Sequence, residues 1–331
     1  MKKICYLGNN DPREKFRGVE EVIWRQAKVV KSPIYVYTSS KKEVHRYRGI
    51  ICIGIPKIKY AKLICVIKKK GYRIHSHSYV GTVYACSLID YMTVHDGLWY
   101  HKNLVEKNWW KYFYVLLEMY CNLLTKKMSY VSNFAKSKAI SMGIRKRRHE
   151  IIYNTSKYEN STSSANKIKN QILIVRSIEE RANIELIIQL ALKKREFKFT
   201  IVGNGPCIDK YRKIVNQEGI ENLIFEGYVP DEVLLKKYHE SVLVIVPAKF
   251  GEGFGLPVIE AYSLNVCVIA SNVCALPEVI IDKKFVFEND LISIVEKFEM
   301  AFSYVAENYY EFYKEKYSND LFEKNTKFFY G

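Results

Sequence analysis

Residues 243–261 read LVIVPAKFGEGFGLPVIEA, which is a continuous apolar run, a loop with three alternating glycines and then a helical pattern. Gly251, Gly253 and Gly255 allow the backbone to turn sharply and to approach a ligand closely. Pro257 suits the first helical turn, where its missing N–H costs nothing. A glycine loop that enters a helix offers free N–H groups and a positive dipole end to a phosphate. The stretch therefore predicts a strand, a ligand-binding loop and a helix, as in α/β folds.

The same alternation of short β-branched runs and longer helical patterns fills both halves of the chain. The predicted strands are 4–7, 34–37, 50–55, 73–77, 91–94, 130–132 and 151–153 in the first half, and 172–175, 199–202, 224–227, 243–246, 267–270 and 285–287 in the second. Several are continuously apolar, as strands covered on both faces of a parallel sheet are. We therefore expect two doubly wound α/β domains.

A polar segment separates the two halves. Residues 153–170, YNTSKYENSTSSANKIKN, are rich in Ser, Thr and Asn, which is typical of a linker or a surface loop. We expect a first domain over 1–155, a linker over 156–170 and a second domain over 171–305. Residues 306–331 are aromatic and charged, and we expect one or two terminal helices there that pack back toward the first domain.

The net charge is +17, and its distribution is more informative than its size. Residues 1–155 hold 30 Lys and Arg against 10 Asp and Glu, whereas residues 156–331 hold 22 against 25. This asymmetry suggests that the first half faces nucleic acid or an anionic membrane. Residues 58–73, IKYAKLICVIKKKGYR, suit either a core-packed helix with a solvated face or a helix at a membrane interface. A second basic cluster, RKRRH at 145–149, comes without the signature of a nucleic-acid-binding fold.

Other features argue against a disulfide frame, a metal site and a membrane span. The eight cysteines include no CxxC pair and mostly lie in apolar runs, which indicates reduced core residues of a cytosolic protein. His75 and His77 would point to one face of a strand, but no acidic or thiol companion makes a metal site expected there. No secretory signal is recognised at the N-terminus. The apolar stretch 109–124 contains Lys111 and Glu118, and it is too short and too charged to cross a bilayer.

Three side chains near the predicted strand ends could carry chemistry. Glu252 lies among the glycines, and we expect Glu260 in the first turn of the helix that follows. In one interpretation, one carboxylate contacts hydroxyls of a bound sugar and the other contacts a ribose. In the alternative, Glu260 only stabilises the start of its helix. His95 ends an apolar strand, where it either polarises a sugar hydroxyl or caps a turn.

The segment EGFGLPVIE at 252–260 resembles the signature of the family-4 retaining glycosyltransferases, which have the GT-B fold. The flanking segments VGNGP at 202–206 and VIASNVCALPEVI at 268–280 agree with that family in order and spacing. FRGVEEVIWRQA at 16–27 and TVHDG at 93–97 resemble its glycine turn and its strand-end histidine segment more loosely. The resemblance is therefore strongest over about 170–280 and spans nearly the whole chain.

The resemblance implies two facing Rossmann-like domains with the substrate cleft between them. The first would hold a glycan or lipid-linked glycan acceptor, and the second a nucleotide-sugar donor for a retaining transfer in bacterial cell-surface polysaccharide synthesis. It implies catalytic roles for His95 and Glu252 and donor contacts for Gly18, Arg176, Arg181, Gly203, Asn204, Gly205, Gly253, Phe254, Gly255, Leu256 and Glu260. No metal or other cofactor is required in this scheme, and no nucleic acid partner is expected. The expected location is cytoplasmic and peripheral, with the basic first domain on the anionic inner face of the cell membrane.

One departure from the family pattern concerns the donor diphosphate. The family usually holds it with an arginine and a lysine, and an ungapped alignment over 173–187, LIVRSIEERANIELI, places Ser177 and Ala182 at those positions. Arg176 and Arg181 each lie one residue earlier, a shift that a strand-end loop can absorb. We therefore predict that one or both arginines hold the diphosphate.

Three alternatives follow from these departures and from the charge. The arginines could be surface residues, with Arg181 paired to Glu180 or Glu185. The chain could then be a non-catalytic partner subunit with the GT-B fold. A basic nucleic-acid-binding protein is the third alternative, and it predicts DNA binding with a steep salt dependence.

Overall fold

The computed structural model describes residues 2–16, 18–77, 79–95, 116, 119–120, 123–141, 149–161, 166–303 and 308–331. The chain divides into two compact units. The first comprises residues 1–154 together with 320–331, and the second comprises residues 155–319. Most of the apolar stretch 109–124 and of the basic cluster 145–149 lies outside the described residues.

The first unit is built on one sheet in the order β3-β4-β2-β1-β5-β6-β7-β8. Its strands are β1 (Lys3–Leu7), β2 (Lys31–Thr38), β3 (Glu43–Tyr47), β4 (Ile50–Ile55), β5 (Arg73–Ser76), β6 (Tyr91–Val94), β7 (Lys127–Tyr130) and β8 (His149–Ile151). Its described helices are α1 (Gly18–Ala27), α2 (Lys57–Lys69), α3 (Tyr79–Ala85), α4 (Asn133–Ser141) and, from the end of the chain, α12 (Asn319–Tyr330). The pairings are parallel except for β3 with β4.

Side-chain alternation along β1 explains why helices cover both faces of this sheet. Ile4 and Tyr6 pack with residues of α1 and α12, whereas Cys5 and Leu7 pack with residues of α2 and α3. In α2, the buried residues are Tyr60, Ile64 and Ile67, so this part of the basic run is a core-packed helix. Ile58 at its start is 92% exposed.

The edge strand β3 is absent from the sequence-based prediction. Arg48 and Gly49 both have positive φ, 44° and 85°, and Tyr47 pairs with Ile50 across this two-residue turn. Such a turn matches the twist of an antiparallel hairpin. The segment EVHRY is half exposed and carries charges, as edge strands do, so its apolar signal is weak.

The second unit contains a fully parallel sheet in the order β11-β10-β9-β12-β13-β14. Its strands are β9 (Gln171–Val175), β10 (Lys198–Val202), β11 (Leu223–Gly227), β12 (Leu243–Val246), β13 (Cys267–Ser271) and β14 (Val286–Phe287). Its helices are α5 (Ile184–Lys193), α6 (Ile208–Gln217), α7 (Asp231–Glu240), α8 (Leu256–Ser263), α9 (Leu276–Val279), α10 (Leu291–Ser303) and α11 (Tyr309–Tyr317). Every residue of β12 and β13 is buried, as their apolar sequences require.

The structure divides the chain differently from the sequence at two places. The segment expected to be a linker belongs to the second unit, where Ser156 and Tyr158 are buried and Glu159 accepts hydrogen bonds from side chains of α11. The terminal region forms two helices that belong to different units. In α11, Tyr309 stacks on Tyr262 of α8, whereas α12 packs in the first unit. Within the described ranges, none of the helices has the length and apolarity to cross a bilayer.

Candidate functional site

The topology of the second sheet places a crevice between β9 and β12. The chain leaves β9 in one direction to form β10 and β11, and it continues from β12 in the other direction to form β13 and β14. Ligands of open α/β sheets bind outside the carboxyl ends of the strands at such a switch point. Arg176 directly follows β9 and the glycine loop 247–255 directly follows β12, so the fold brings these two segments together.

Arg176 and Glu252 form an ion pair across this switch point. Arg176 Nη1 donates to Glu252 Oε2, and the two side chains are 7% and 15% exposed. Arg176 N–H donates to Val202 O over 3.0 Å, which ties the residue to the end of β10. The buried Nε of Arg176 has no hydrogen-bond partner within the described part of the chain. A guanidinium fixed at this place supplies a positive charge for a phosphate.

Arg181 is attached to the same glycine loop by both its side chain and its backbone. Its Nη1 donates to Gly251 O over 2.6 Å, and its own carbonyl accepts from Lys249 N over 2.8 Å. Its Nε donates to Glu179 Oε2 over 3.0 Å. Both candidate arginines therefore lie at the glycine loops.

Glu185, an expected alternative partner of Arg181, instead accepts hydrogen bonds from other residues. Tyr211 O–H donates to Glu185 Oε1 over 2.7 Å and Lys249 Nζ donates to Oε2 over 3.1 Å. Burial alone would raise the pKa of Glu185, but these donors, Tyr211 foremost, lower it to about 2. These contacts hold Lys249, which was not among the predicted site residues, near the start of the glycine loop. Its position two residues before Gly251 was the available signal.

The turn Gly203-Asn204-Gly205 packs directly on the segment that carries Arg176. Gly203 has a φ of 134°, and a Cβ there would lie 1.9 Å from Arg176 O. A Cβ at Gly205 would lie 2.3 Å from the carbonyl oxygen of Ile178. The N–H of Ile178 donates to Asn204 O over 3.0 Å. These two glycines therefore permit a close backbone approach that positions Arg176.

The glycine loop continues into α8 through a left-handed backbone position. Gly255 has a φ of 97°, which other residues rarely adopt, and a Cβ there would also come within 2.7 Å of Leu276 Cδ2. Leu256 begins the helix. The Phe254 side chain is buried, with its ring centroid 5.9 Å from that of Tyr317. Any ligand contact of Phe254 would therefore come from its backbone.

Glu260 is the fifth residue of α8, so it does not lie in the first helical turn as expected. A tyrosine from the neighbouring helix α7 positions its carboxylate. Tyr238 O–H donates to Glu260 Oε2 over 2.9 Å. Burial raises the pKa of Tyr238 well above its usual value, and the adjacent carboxylate adds to this effect. Tyr238 is therefore a neutral donor at neutral pH. In the sequence it is one of several aromatic residues on an amphipathic helix, and no local signal links it to Glu260.

The first sheet has its own switch point, between β1 and β5. Gly8 follows β1, and a Cβ there would overlap the Tyr35 hydroxyl at 2.0 Å. Gly18 begins α1. His95 follows β6, and its Nε2 lies 3.0 Å from Nδ1 of His77, which follows β5.

Metal-binding side chains cluster at a different place in the first unit. His75 and His77 do share a face, with ring centroids 4.3 Å apart. Among the described residues, the candidate cluster of three ligands is Asp11, Glu43 and His45. Arg13 donates to both carboxylates of this cluster, and the Tyr37 hydroxyl lies 2.9 Å from an oxygen of each. The Arg13 guanidinium therefore already pairs with both carboxylates.

Comparison with known proteins assigns the second unit to a family. Residues 157–309 match the family model for glycosyl transferases group 1. A protein of the cps region of Klebsiella pneumoniae is 25% identical over 267 residues, which cover 75% of this chain and 71% of that protein. The O-antigen chain mannosyltransferase B of Escherichia coli is 48% identical over 69 residues, or 20% of this chain and 18% of that enzyme. The capsular polysaccharide biosynthesis glycosyltransferase CapH of Staphylococcus aureus is 30% identical over 166 residues, or 48% of this chain and 46% of that enzyme.

Solved structures share the fold over essentially the whole chain. Sucrose-phosphate synthase from Thermosynechococcus elongatus superimposes with a TM-score of 0.80 at 14% identity, covering 100% of this chain and 98% of that chain. HepE from Anabaena, in complex with UDP and glucose, superimposes with a TM-score of 0.79 at 14% identity, covering 99% of this chain and 98% of that chain. WaaG, a glycosyltransferase involved in lipopolysaccharide biosynthesis, superimposes with a TM-score of 0.77 at 14% identity, covering 99% of this chain and 100% of that chain. The expected GT-B fold class is confirmed.

Proposed function

Because the chain belongs to the group 1 glycosyl transferases, we propose that it transfers a sugar from a nucleotide-sugar donor to a hydroxyl of a glycan or lipid-linked glycan. The observation that carries this proposal is the largely buried ion pair of Arg176 and Glu252 at the switch point of the second sheet. It brings a guanidinium, which would bind the donor phosphate, next to a carboxylate, which would accept from sugar hydroxyls.

The charges at the switch point suit departure of a nucleoside diphosphate. This leaving group gains negative charge in the transition state, and a helix N-terminus supplies only about half a positive charge. Arg176 and Arg181 would supply full charges, and the planar guanidinium can hold two phosphate oxygens at once. Preorganised charges of this kind stabilise the transition state without reorganisation during the reaction.

Glu252 would act by binding rather than by attack on the sugar. In the ligand-free arrangement its carboxylate accepts from Arg176. When a donor is bound, the diphosphate can share that guanidinium while the carboxylate accepts from a sugar hydroxyl. Glu260, held by Tyr238, would accept from the ribose. The enzyme would thus position its substrates, which is a large part of catalysis in group transfer.

We further propose that the anomeric configuration is retained. The bond from the sugar to the diphosphate breaks as the acceptor oxygen bonds on the same face, and the leaving phosphate takes the proton of the acceptor hydroxyl. Positive charge comes from arginines and a helix end in this scheme, so no metal is required. Retention is supported by the resemblance of residues 252–260 to the retaining family.

The acceptor and the location are proposed from two observations. Two relatives are an O-antigen chain mannosyltransferase and a capsular polysaccharide biosynthesis glycosyltransferase, which supports a role in bacterial cell-surface polysaccharide synthesis. The basic charge of residues 1–155 and the exposed Ile58, set between Lys57 and Lys59, suit peripheral docking on the anionic inner face of the cell membrane. The catalytic unit would then work on the cytoplasmic side.

A donor screen tests the proposal. Thermal shifts with UDP-, GDP-, dTDP- and ADP-sugars identify the donor, and release of its nucleoside diphosphate in the presence of a lipid-linked acceptor measures transfer. Glu252→Gln should retain the fold and lose most transfer, whereas Lys194→Met, at a surface ion pair of the same unit, should not change it. Donor binding without transfer would favour the non-catalytic subunit. Absence of any donor effect would contradict the proposal.

A further inference from the structure

A continuous series of hydrogen bonds runs from His95 into the core of the first unit. His95 Nε2 lies 3.0 Å from His77 Nδ1, and His77 Nε2 lies 3.1 Å from Gln26 Oε1. Tyr330 O–H donates to the same Gln26 oxygen over 3.3 Å. His77 is 6% exposed and Gln26 is 1% exposed. The four residues come from the ends of β5 and β6, from α1 and from α12, so distant parts of the chain converge on one imidazole.

The chemistry of these groups determines where the protons are. The carbonyl oxygen of Gln26 can only accept, so the facing Nε2 of His77 must carry a hydrogen. Burial, reinforced by the neighbouring His75 and His95, lowers the pKa of His77 well below its usual value, so its ring is neutral and has a single N–H. His77 Nδ1 then carries a lone pair and accepts from Nε2–H of His95.

We propose that His77, oriented by Gln26 and Tyr330, is a positioning residue that holds His95 in the Nε2–H tautomer. The proton-accepting nitrogen of neutral His95 is then Nδ1. This inference rests on the proposed function only in assigning His95 to the reaction. The second nitrogen of a functional histidine commonly sets its tautomer in this way.

A second set of contacts keeps the His77 ring in place. His75, whose ring centroid is 4.3 Å from that of His77, has its Nδ1 2.6 Å from the Tyr330 hydroxyl and its Nε2 2.8 Å from Thr93 Oγ1. Thr93 Oγ1 in turn lies 2.7 Å from Ser129 Oγ. Because every bond in such a buried network restricts its neighbours, His77 has little freedom to rotate.

The tautomer can be measured directly in the intact chain. Two-bond proton–nitrogen NMR spectra of protein with 15N-labelled histidine, recorded at pH 7.5, distinguish protonated from unprotonated imidazole nitrogens. We expect Nε2 to be protonated in both His95 and His77. A His95 ring protonated at Nδ1 in the unmodified protein would overturn the inference, and this result needs no variant.

Substitutions test whether His77 causes the tautomer. His77→Phe keeps the ring volume but removes both nitrogens, and we expect His95 to populate both tautomers and kcat to fall about tenfold to a hundredfold, with donor KM nearly unchanged. His77→Asn places an amide oxygen near the position of Nδ1 and should restore the Nε2–H tautomer and most of kcat. His45→Phe, on the edge strand of the same unit, is the control and should change neither. An unchanged His95 spectrum in folded His77→Phe would overturn the inference.

The two proposals fail in different ways. Transfer activity combined with His95 protonated at Nδ1 overturns the positioning role and leaves the proposed function standing. The expected tautomer in a chain that transfers no sugar supports the hydrogen-bond assignment and overturns the proposed function.

Discussion

Replacing Arg176 by methionine separates the structural from the functional role of its ion pair. Methionine keeps much of the side-chain volume and removes the charge. It leaves Glu252, which is 15% exposed, without the guanidinium that now donates to it. Because an unpaired carboxylate in a nearly buried place is unfavourable, both stability and transfer should decrease.

The magnitude follows from the burial of the pair. Removing one partner of a fully buried ion pair costs about 3–5 kcal/mol, and the partial exposure of Glu252 reduces this to about 2–4 kcal/mol. For a unit of this size, that corresponds to a decrease in Tm of roughly 5–15 °C. Loss of one charge that stabilises the transition state should lower kcat/KM for the donor about 10²–10³-fold.

A double variant distinguishes the two effects. Glu252→Gln in the Arg176→Met background removes the unpaired charge, so we expect it to recover about 1–3 kcal/mol of the lost unfolding free energy. It should not recover transfer. Urea unfolding and nucleoside diphosphate release measure these two quantities, with Lys194→Met as the control, for which the change should stay below about 1 kcal/mol. Near-normal transfer by folded Arg176→Met would refute the reasoning, as would a double variant no more stable than the single one.

The other predictions concern the ribose, the membrane and acid stability. Glu260→Ala should weaken donor binding by about 1–3 kcal/mol, and Tyr238→Phe should weaken it less; calorimetric titration would contradict this if the affinity of a folded Glu260→Ala protein were unchanged. Co-sedimentation with liposomes should rise with anionic lipid, collapse with salt and decrease in Ile58→Glu; equal binding to neutral and anionic vesicles would be inconsistent with docking. Burial lowers the pKa values of His75 and His77 in the folded state, so below about pH 6.5 the unfolded state binds more protons. The free energy of unfolding should therefore be constant with respect to these two groups above that pH. Below it, the free energy should decrease by up to about 1.4 kcal/mol per pH unit for each histidine. Urea denaturation that gives the same free energy of unfolding at pH 5.5 and pH 7.5 would exclude this.

Local patterning predicts the sheets well because parallel strands must be apolar throughout. Each run identified from the sequence in the second half corresponds to a strand in the structure, and β12 coincides residue for residue. The missed strand β3 shows the limit of this signal. The edge strand β3 forms because it pairs with β4. Its residues are half exposed and several are charged, so its sequence lacks the apolar run that identifies a buried strand.

Contacts between distant residues explain what the sequence could not give. Tyr238 and Glu260 lie in different helices, and only the packing of α7 beside α8 brings their side chains together. His77 shows the same limit, because its strand spacing with His75 is visible in the sequence but its contacts with Gln26 and Tyr330 are not. Such residues have ordinary local environments in the sequence, and their roles depend on the assembled fold.

The position of Arg176, one residue before the position expected from the family pattern, is compatible with the proposed diphosphate contact. Successive residues of a strand point to opposite faces, so a shift by one position within a strand would turn a side chain away from its ligand. Arg176 lies one residue beyond β9, where its N–H still donates to Val202 but the strand geometry has ended. The absence of a side chain at Gly203 lets the two backbones meet there, since a Cβ would lie 1.9 Å from Arg176 O. The position one residue later is Ser177, whose hydroxyl donates to Glu179 instead. The end of β9 and the neighbouring Gly203 thus allow Arg176 to contact Glu252. A shift by one position within the strand itself would have turned the side chain to the opposite face of the sheet.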